Sequence, residues 1–293
     1  MKLLSIITPT HNRSTLLKRC FASLLAQTSR QFEWIIVDDG STDDTEAAAA
    51  SFLLQAPEMR IHYLRKENGG KHTAMNAAHP LIHGNYVLIL DDDDRLIPSA
   101  VEEILEAWAR YDQPQIGVVV FLEGYSETDP FAEGEREGVP FDMFHEHTVT
   151  RHNRDCCDIY RAEAFKKYPF PVFPGETFLS ESILWNRMAA EYQIVYINKV
   201  IYLAEYLEDG LTKAGRPMRI KMPLGGMYAA NLYLDRHYPM KLRWKNGLLY
   251  NCYGFFAKTP FRKLRSEAIS KPLTYLTRPG GWLLYQYWKK RYG

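Results

Sequence analysis

The most restrictive feature of this sequence is an alternation of short apolar runs and amphipathic stretches over its first 122 residues. Residues 3–8 form an apolar run that stops at Pro9, as a buried strand would. Residues 14–26 then carry Leu16, Leu17, Cys20, Phe21, Leu24 and Leu25 at helical spacing. Runs at 32–37, 61–64, 86–90 and 116–122 read as further strands. Residues 70–78 and 98–109 read as helices, the latter with Pro98 in its first turn. Ser41 is placed to cap the helix after the second strand, with Asp44 three residues on as in a capping box. Strand–helix units of this length imply an α/β fold, a mostly parallel sheet with flanking helices. Such sheets bind ligands beyond the carboxyl ends of their strands. Three polar clusters fall at such ends, 9–13, 38–43 and 91–94, and are expected to line one crevice.

Beyond this region the pattern weakens. Gly124, Pro130, Gly134, Gly138 and Pro140 mark residues 123–150 as a loop-rich insert. Structure returns over 151–205, with a helix near 182–192 and a strand at 194–202. No stretch reaches the roughly 18 apolar residues of a membrane span, and the N-terminal apolar run is too short for a secretion signal. Cys20, Cys156, Cys157 and Cys252 form no CxxC pair and read as free thiols of a reducing compartment. A cytoplasmic location is therefore expected. The net charge of +1 conceals an asymmetry: residues 240–293 hold 12 Lys/Arg and one acid, Glu267. The same segment is rich in aromatic residues, among them Trp244, Tyr250, Tyr253, Trp282, Tyr287 and Trp288. Two readings of it stay open: a helical extension packed on the core, or a peripheral surface for anionic membrane. No recognised nucleic-acid motif is present, and no nucleic acid is expected as partner.

The chemistry concentrates in Asp91-Asp92-Asp93-Asp94, delivered by an apolar strand. Packed carboxylates repel one another unless a cation neutralises them, and hard Mg²⁺ or Mn²⁺ share such ligands with phosphates. A solvated acidic turn or a helix N-terminal cluster is the alternative. Asp38 and Asp39 follow the second strand, where carboxylates form turns or accept a base N–H or ribose hydroxyl. Asn68-Gly69-Gly70-Lys71 precedes a short helix and suits either a phosphate site or a plain cap. It is not a Walker loop, and no GxGxxG follows the first strand.

Taken together, these segments resemble family 2 glycosyltransferases of the Rossmann-like GT-A fold, of the type that builds bacterial cell-surface polysaccharides. The resemblance covers residues 1–212 and leaves 213–293 as a C-terminal helical extension. It implies a nucleotide-sugar site of Pro9, Thr10, His11, Arg13, Asp38, Asp39, Asn68, Gly70, Lys71, Asn76, Asp91 and Asp92, with Asp39 reading the uracil of UDP. It implies a DxD metal motif, Asp91 and Asp93, for Mn²⁺ or Mg²⁺. Alignment on Trp185 and Arg187 puts Glu181 at the catalytic base, where the family usually has Asp, with Glu176 in reserve. The family's later Arg and His are replaced by the segment from Glu205 to Thr212. His145 and His152 read as loop or surface residues. The activity implied is inverting, hexosyltransferase-like transfer from a nucleotide-diphosphate sugar to a saccharide or lipid-linked acceptor. The Glu181 departure keeps one alternative open, an inactive sugar-nucleotide-binding scaffold. A nucleotidyltransferase would require a glycine-rich first loop, which 9–13 is not.

Overall fold

The computed structural model describes residues 2–132, 134, 136–144, 156–204 and 211–292, with backbone alone for 211–214. Packing divides the chain into two compact units, 1–170 with 188–206 and 171–187 with 207–293.

The first unit is built on β1 (Leu4–Thr10), α1 (Ser14–Leu25), β2 (Phe32–Asp38), α2 (Thr45–Gln55), β3 (Arg60–Arg65), α3 (Lys71–Ala78) and β4 (Tyr86–Ile89). It continues through β5 (Arg95–Leu96), α4 (Ala100–Tyr111), β6 (Ile116–Ser126), β7 (Asp129–Pro130), β8 (Phe141–Asp142), β9 (Cys156–Arg161), α5 (Ala162–Lys167) and β10 (Gln193–Leu203). The main path of the sheet is β3-β2-β1-β4-β9-β6-β10-β5. Its first four strands are parallel, as the strand–helix alternation requires. β9 then runs antiparallel between β4 and β6, and β10 lies parallel to β6. Part of the expected loop-rich insert is sheet: β6 runs on to Ser126, β7 folds back on it, and β8 pairs with β10. His145 and His152 lie outside the described residues.

Two local expectations are corrected. β1 does not stop at Pro9 but continues to Thr10. The Ile7 carbonyl accepts from Leu90 N (2.9 Å), and Pro9, two residues on, turns the same way, past the last β1–β4 pairing at Ile7 and Ile89. Its missing N–H therefore forfeits no ladder bond. Ser41 does not cap α2. Its Oγ accepts from Asn12 N (2.8 Å), while Asp43 Oδ1 accepts from Thr45 N (3.1 Å) and Thr45 Oγ1 (2.5 Å).

One face of the parallel strands carries Leu4, Ile6, Trp34, Ile36 and Leu88 into a core with Leu17, Phe21 and Leu24 of α1 and Phe52 of α2. Trp34 is fully buried, its ring 5.9 Å from Phe21 and 5.6 Å from Phe52, and its Nε1 donates to Thr8 Oγ1 (2.9 Å). This satisfies the indole N–H inside the core.

The second unit consists of α6 (Ser182–Met188, with Met188 counted in the first unit), α7 (Leu211–Lys221), α8 (Pro223–Leu232), α9 (Met240–Phe256), α10 (Phe261–Glu267), α11 (Lys271–Leu276) and α12 (Arg278–Tyr292). Prolines punctuate it: Pro223, Pro239, Pro260, Pro272 and Pro279 stand at or beside helix starts, where a missing N–H is harmless. Its own core joins Met227, Leu234, Tyr250, Tyr253, Leu264 and Trp288. Asn251 is fully buried and donates to the Thr274 carbonyl (3.0 Å) and Thr277 Oγ1 (3.1 Å), tying α9 to α11 and its C-terminal end. No described helix is long and apolar enough to cross a membrane.

Replacing Trp34 by Ala removes a fully buried ring packed beside the stacked Phe21 and Phe52 rings. Urea unfolding followed by circular dichroism is expected to show a loss of about 3–5 kcal/mol with the same fold.

Candidate active site

The end of β4 turns sharply at Asp91 to Asp94, closed by Asp94 N donating to the Asp91 carbonyl (3.1 Å). The carboxylates draw their partners from β1 and its loop, α3 and β10. Asp92 is buried and accepts from Thr10 Oγ1 (2.7 Å) and Arg13 Nη1 (3.0 Å). Asp93 shares the same guanidinium nitrogen (3.0 Å). Asp91 pairs with Lys71 Nζ (2.5 Å) at the start of α3. Asp94 is buried and accepts from the Tyr202 hydroxyl (2.8 Å), which itself accepts from Asp91 N (3.0 Å). One tyrosine on β10 thus fixes both ends of the turn.

Burial pushes the Asp94 carboxyl up to about 7, and the charges of Asp91 and Asp93 push it the same way. Burial likewise raises Asp92 to about 6, against the pull of Thr10 and Arg13. Asp91, Asp93 and Asp94 each offer an oxygen, and these atoms lie within 4.8 Å of one another. An all-oxygen set of this size suits a hard divalent cation such as Mg²⁺ or Mn²⁺. The Asp91 and Asp93 expected as ligands are together, and Asp94 joins them.

A second cluster forms where β2 ends. Asp38 is buried, accepting from Ser41 N (2.7 Å) and the Tyr63 hydroxyl (2.7 Å), a structural pairing that holds the turn. Asp39 is buried too, and four donors converge on it. Lys66 Nζ (2.6 Å) and Gly69 N (3.0 Å) reach Oδ1, while Gly70 N (2.7 Å) and Asn68 Nδ2 (3.3 Å) reach Oδ2. Gly70 has φ +91°, which an L side chain rarely adopts. A Cβ at Gly40, with φ +82°, would fall 2.8 Å from Asn68 N. These glycines let the 66–70 loop close on the aspartate. His11 Nδ1 stands 3.0 Å from the Asp39 carbonyl oxygen. Asn12, in the left-handed region with φ 54°, accepts from Thr42 N (2.7 Å) and joins the first two loops.

Thr10, Arg13, Lys71, Asp91, Asp92 and Asp93 therefore meet at one cluster, and His11, Asp39, Asn68 and Gly70 at the other. Pro9 leads β1 into both. Asn76 is placed differently: its Oδ1 accepts from Phe170 N (2.8 Å) and its Nδ2 donates to the Phe170 carbonyl (2.8 Å). Glu176, the residue held in reserve as base, lies in the second unit. It is buried and caps α8, accepting from Leu224 N (2.6 Å) and Gly225 N (2.7 Å). Glu181 lies one residue ahead of α6 in the second unit, half-buried. Of the segment from Glu205 to Thr212, residues 205–210 lie outside the described residues. Sequence reasoning missed Lys66, Asp94 and Tyr202. A lone lysine and a tyrosine 108 residues from its partner leave no local signal, whereas Asp94 was already visible in the run.

A sheet of this order, with a carboxylate turn at the end of β4, defines a GT-A-type domain. The same fold is found in S. aureus TarS in complex with UDP-GlcNAc, at TM-score 0.59 and 19% identity over 97% of this chain and 89% of that one. It is found again in the Pyrobaculum calidifontis mannosyltransferase PcManGT in complex with GDP-Man and Mn²⁺, at TM-score 0.60 and 18% identity over 99% and 83%. The family model for Glycosyl transferase family 2 matches residues 5–169, and the chain belongs to that family. Among its relatives is the chondroitin synthase of Escherichia coli, 39% identical over 108 residues, which is 37% of this chain and 16% of that enzyme. The matches to other curated relatives span between 11% and 37% of those proteins' own length.

The raised Asp94 carboxyl has a measurable consequence. The folded state binds a proton there that the unfolded state has released, so its contribution to stability is present at low pH and lost as pH rises through about 7. Asp94→Asn mimics the protonated form. Its thermal midpoint relative to wild type, measured without divalent metal, is expected to rise between about pH 5 and about pH 8. A constant gap would mean that Asp94 titrates as an ordinary carboxylate.

Proposed function

We propose that this protein transfers a sugar from a nucleotide-diphosphate sugar, with UDP as the nucleotide, onto an acceptor hydroxyl with inversion at the anomeric carbon. The observation that carries the proposal is the Asp91, Asp93 and Asp94 cluster at the end of β4 in a chain of this family. UDP-GlcNAc on TarS and GDP-Man with Mn²⁺ on PcManGT support a nucleotide-sugar donor and a divalent cation. The relatives' names support a saccharide acceptor, chondroitin synthase being one. A lipid-linked saccharide is the acceptor a membrane-bound assembly would present, as in the GalNAc(5)-diNAcBac-PP-undecaprenol β-1,3-glucosyltransferase of Campylobacter jejuni.

On this reading Asp91 and Asp93, joined by Asp94, hold a Mn²⁺ or Mg²⁺ ion. When bound, that ion supplies positive charge at the diphosphate oxygens of the leaving nucleotide. Lys71 adds a point charge beside the same oxygens. Asp39 accepts the base N–H, exchanging it for one of its present four donors. Glu181 accepts the acceptor hydroxyl's proton as that oxygen attacks the anomeric carbon opposite the leaving nucleotide. No side-chain acid is needed, because a neutralised diphosphate leaves readily.

The test is nucleotide release from UDP-, GDP- and dTDP-sugars, with Mn²⁺, Mg²⁺ or EDTA and a bacterial membrane extract as acceptor. Metal-dependent release from one donor is expected, falling by about 10²–10⁴-fold in Glu181→Gln with donor affinity unchanged. Wild-type release by that variant removes Glu181 from its role. Tight, metal-dependent UDP binding without release from any donor supports the scaffold reading, which the glutamate in place of the family's aspartate favours.

The second unit suggests where the protein works. Tyr250, Tyr253 and Trp288 are in its core, but Trp244, Leu276, Trp282, Leu283 and Tyr287 are exposed among the 12 basic residues of 240–293. This chemistry fits docking at the cytoplasmic face of an anionic membrane. Co-sedimentation with vesicles containing phosphatidylserine, weakened by salt and by Trp244→Ala with Trp282→Ala, is expected. Failure to sediment at low salt would remove the membrane from the proposal.

A further inference from the structure

At the edge of the sheet opposite the aspartates, a second cluster of ligating side chains comes together from three separate segments. Glu33 is the second residue of β2, His62 lies on β3, and His83 sits in the turn before β4. Ser5 pairs with Glu33 in register, and His62 pairs with Ile35, two residues along β2. Side chains two apart on a strand share a face, so Ser5, Glu33 and His62 stand on the same side of the sheet.

The Glu33 carboxylate is buried, with its side chain 2% exposed, and its two oxygens have different duties. Oε1 accepts from Ser5 Oγ (2.6 Å), His83 N (2.7 Å) and Gly84 N (3.2 Å). Oε2 faces the two imidazoles, 3.1 Å from His83 Nδ1 and 3.4 Å from His62 Nε2. These bonds hold the carboxyl below the usual carboxylate range despite its burial. The turn carrying His83 is pressed against β1: a Cβ at Gly84 would fall 2.6 Å from Ser5 Oγ. The carboxylate is thus fixed from behind, with one oxygen left toward two nitrogens.

We propose that Glu33, His62 and His83 form a zinc site separate from the aspartate cluster. Zinc bound to imidazole nitrogen and carboxylate oxygen at about 2.0–2.2 Å sets tetrahedral ligand atoms roughly 3.3–3.6 Å apart. The separations of 3.1 and 3.4 Å are close to that edge, and all three ligand atoms lie within 4.8 Å of one another. The His62 and His83 side chains are 35% and 61% exposed, so the fourth position opens to water. Two imidazoles and one carboxylate select a borderline ion such as Zn²⁺, whereas the aspartate cluster offers only oxygen. The Ser5, His83 N and Gly84 N bonds to Oε1 orient a ligating carboxylate from behind. Binding clips β2, β3 and the turn before β4 together, with Glu33 and His83 50 residues apart in the chain, and adds its free energy to the folded state.

The test is calorimetric titration of the full chain with Zn²⁺ in excess Mg²⁺, which fills the aspartate cluster. One equivalent of zinc is expected to bind and to raise the thermal midpoint. Both effects should be lost in His62→Gln with His83→Gln and kept in Asp91→Asn with Asp93→Asn. Ser5→Ala should weaken zinc by about 10–100-fold while leaving the ligands in place. A measurement on the unaltered chain covers misfolding of the double variant: bound Co²⁺ should give the intense visible bands of four-coordinate cobalt. Absence of zinc binding, binding indifferent to His62 and His83, or a pale six-coordinate cobalt spectrum would each overturn the site. None of these results depends on glycosyl transfer, so the two proposals fail separately.

Discussion

The first unit is organised around like-charge repulsion at the end of β4. Four consecutive carboxylates are brought to one turn, and two of them, Asp92 and Asp94, are buried. Such a turn does not hold itself together, and the surrounding elements supply what it lacks. β1 and its following loop contribute Thr10 and Arg13, α3 contributes Lys71, and β10 contributes Tyr202. The parallel order of β2, β1 and β4 brings these loops to one end, and β10 reaches it through β6 and β9. Burial, with the charges of Asp91 and Asp93 behind it, still keeps Asp94 near the point of protonation.

Much of this was legible in the sequence because the signals were local. Apolar runs ending in aspartate located β2 and β4, and the strand–helix alternation set the parallel half of the sheet. β9 was not legible: Cys156-Cys157-Asp158-Ile159-Tyr160-Arg161 has weak alternation, and its place is set by two neighbours far away in sequence. Pro9 misled for a definable reason. Proline ends a strand only where its nitrogen would have to donate, and at Pro9 that side of β1 has already run past its pairing with β4. The C-terminal region looked like an undivided basic extension because aromatic and basic residues mask the helical stripe. Five of its prolines carried the missing information, since Pro223, Pro239, Pro260, Pro272 and Pro279 stand at or beside helix starts, whereas Pro217 lies inside α7. Tyr202 and Lys66 were beyond reach, because a single polar residue acquires its role only from what the fold sets beside it.

The described ionic contacts at the two clusters differ in kind. Arg13 bonds both Asp92 and Asp93 from a single nitrogen, and a guanidinium is a planar group that stays charged. Lys71 and Lys66 meet Asp91 and Asp39 as point charges on flexible stems. Moving Arg13 would break two carboxylate contacts at once, and Lys66 is held besides by the Glu67 carbonyl and Thr73 Oγ1 (2.8 Å). On the proposed reading, the two lysines lie where the donor's partners must arrive: the cation at Asp91, and the base N–H at Asp39. Each lysine satisfies a carboxylate that would otherwise be left buried or crowded without a counter-charge. Donor binding then becomes an exchange of one cation or donor for another, with no carboxylate passing through an unpaired state. Arg13 keeps the turn in shape throughout, so the geometry of Asp91 to Asp94 need not be rebuilt at each turnover.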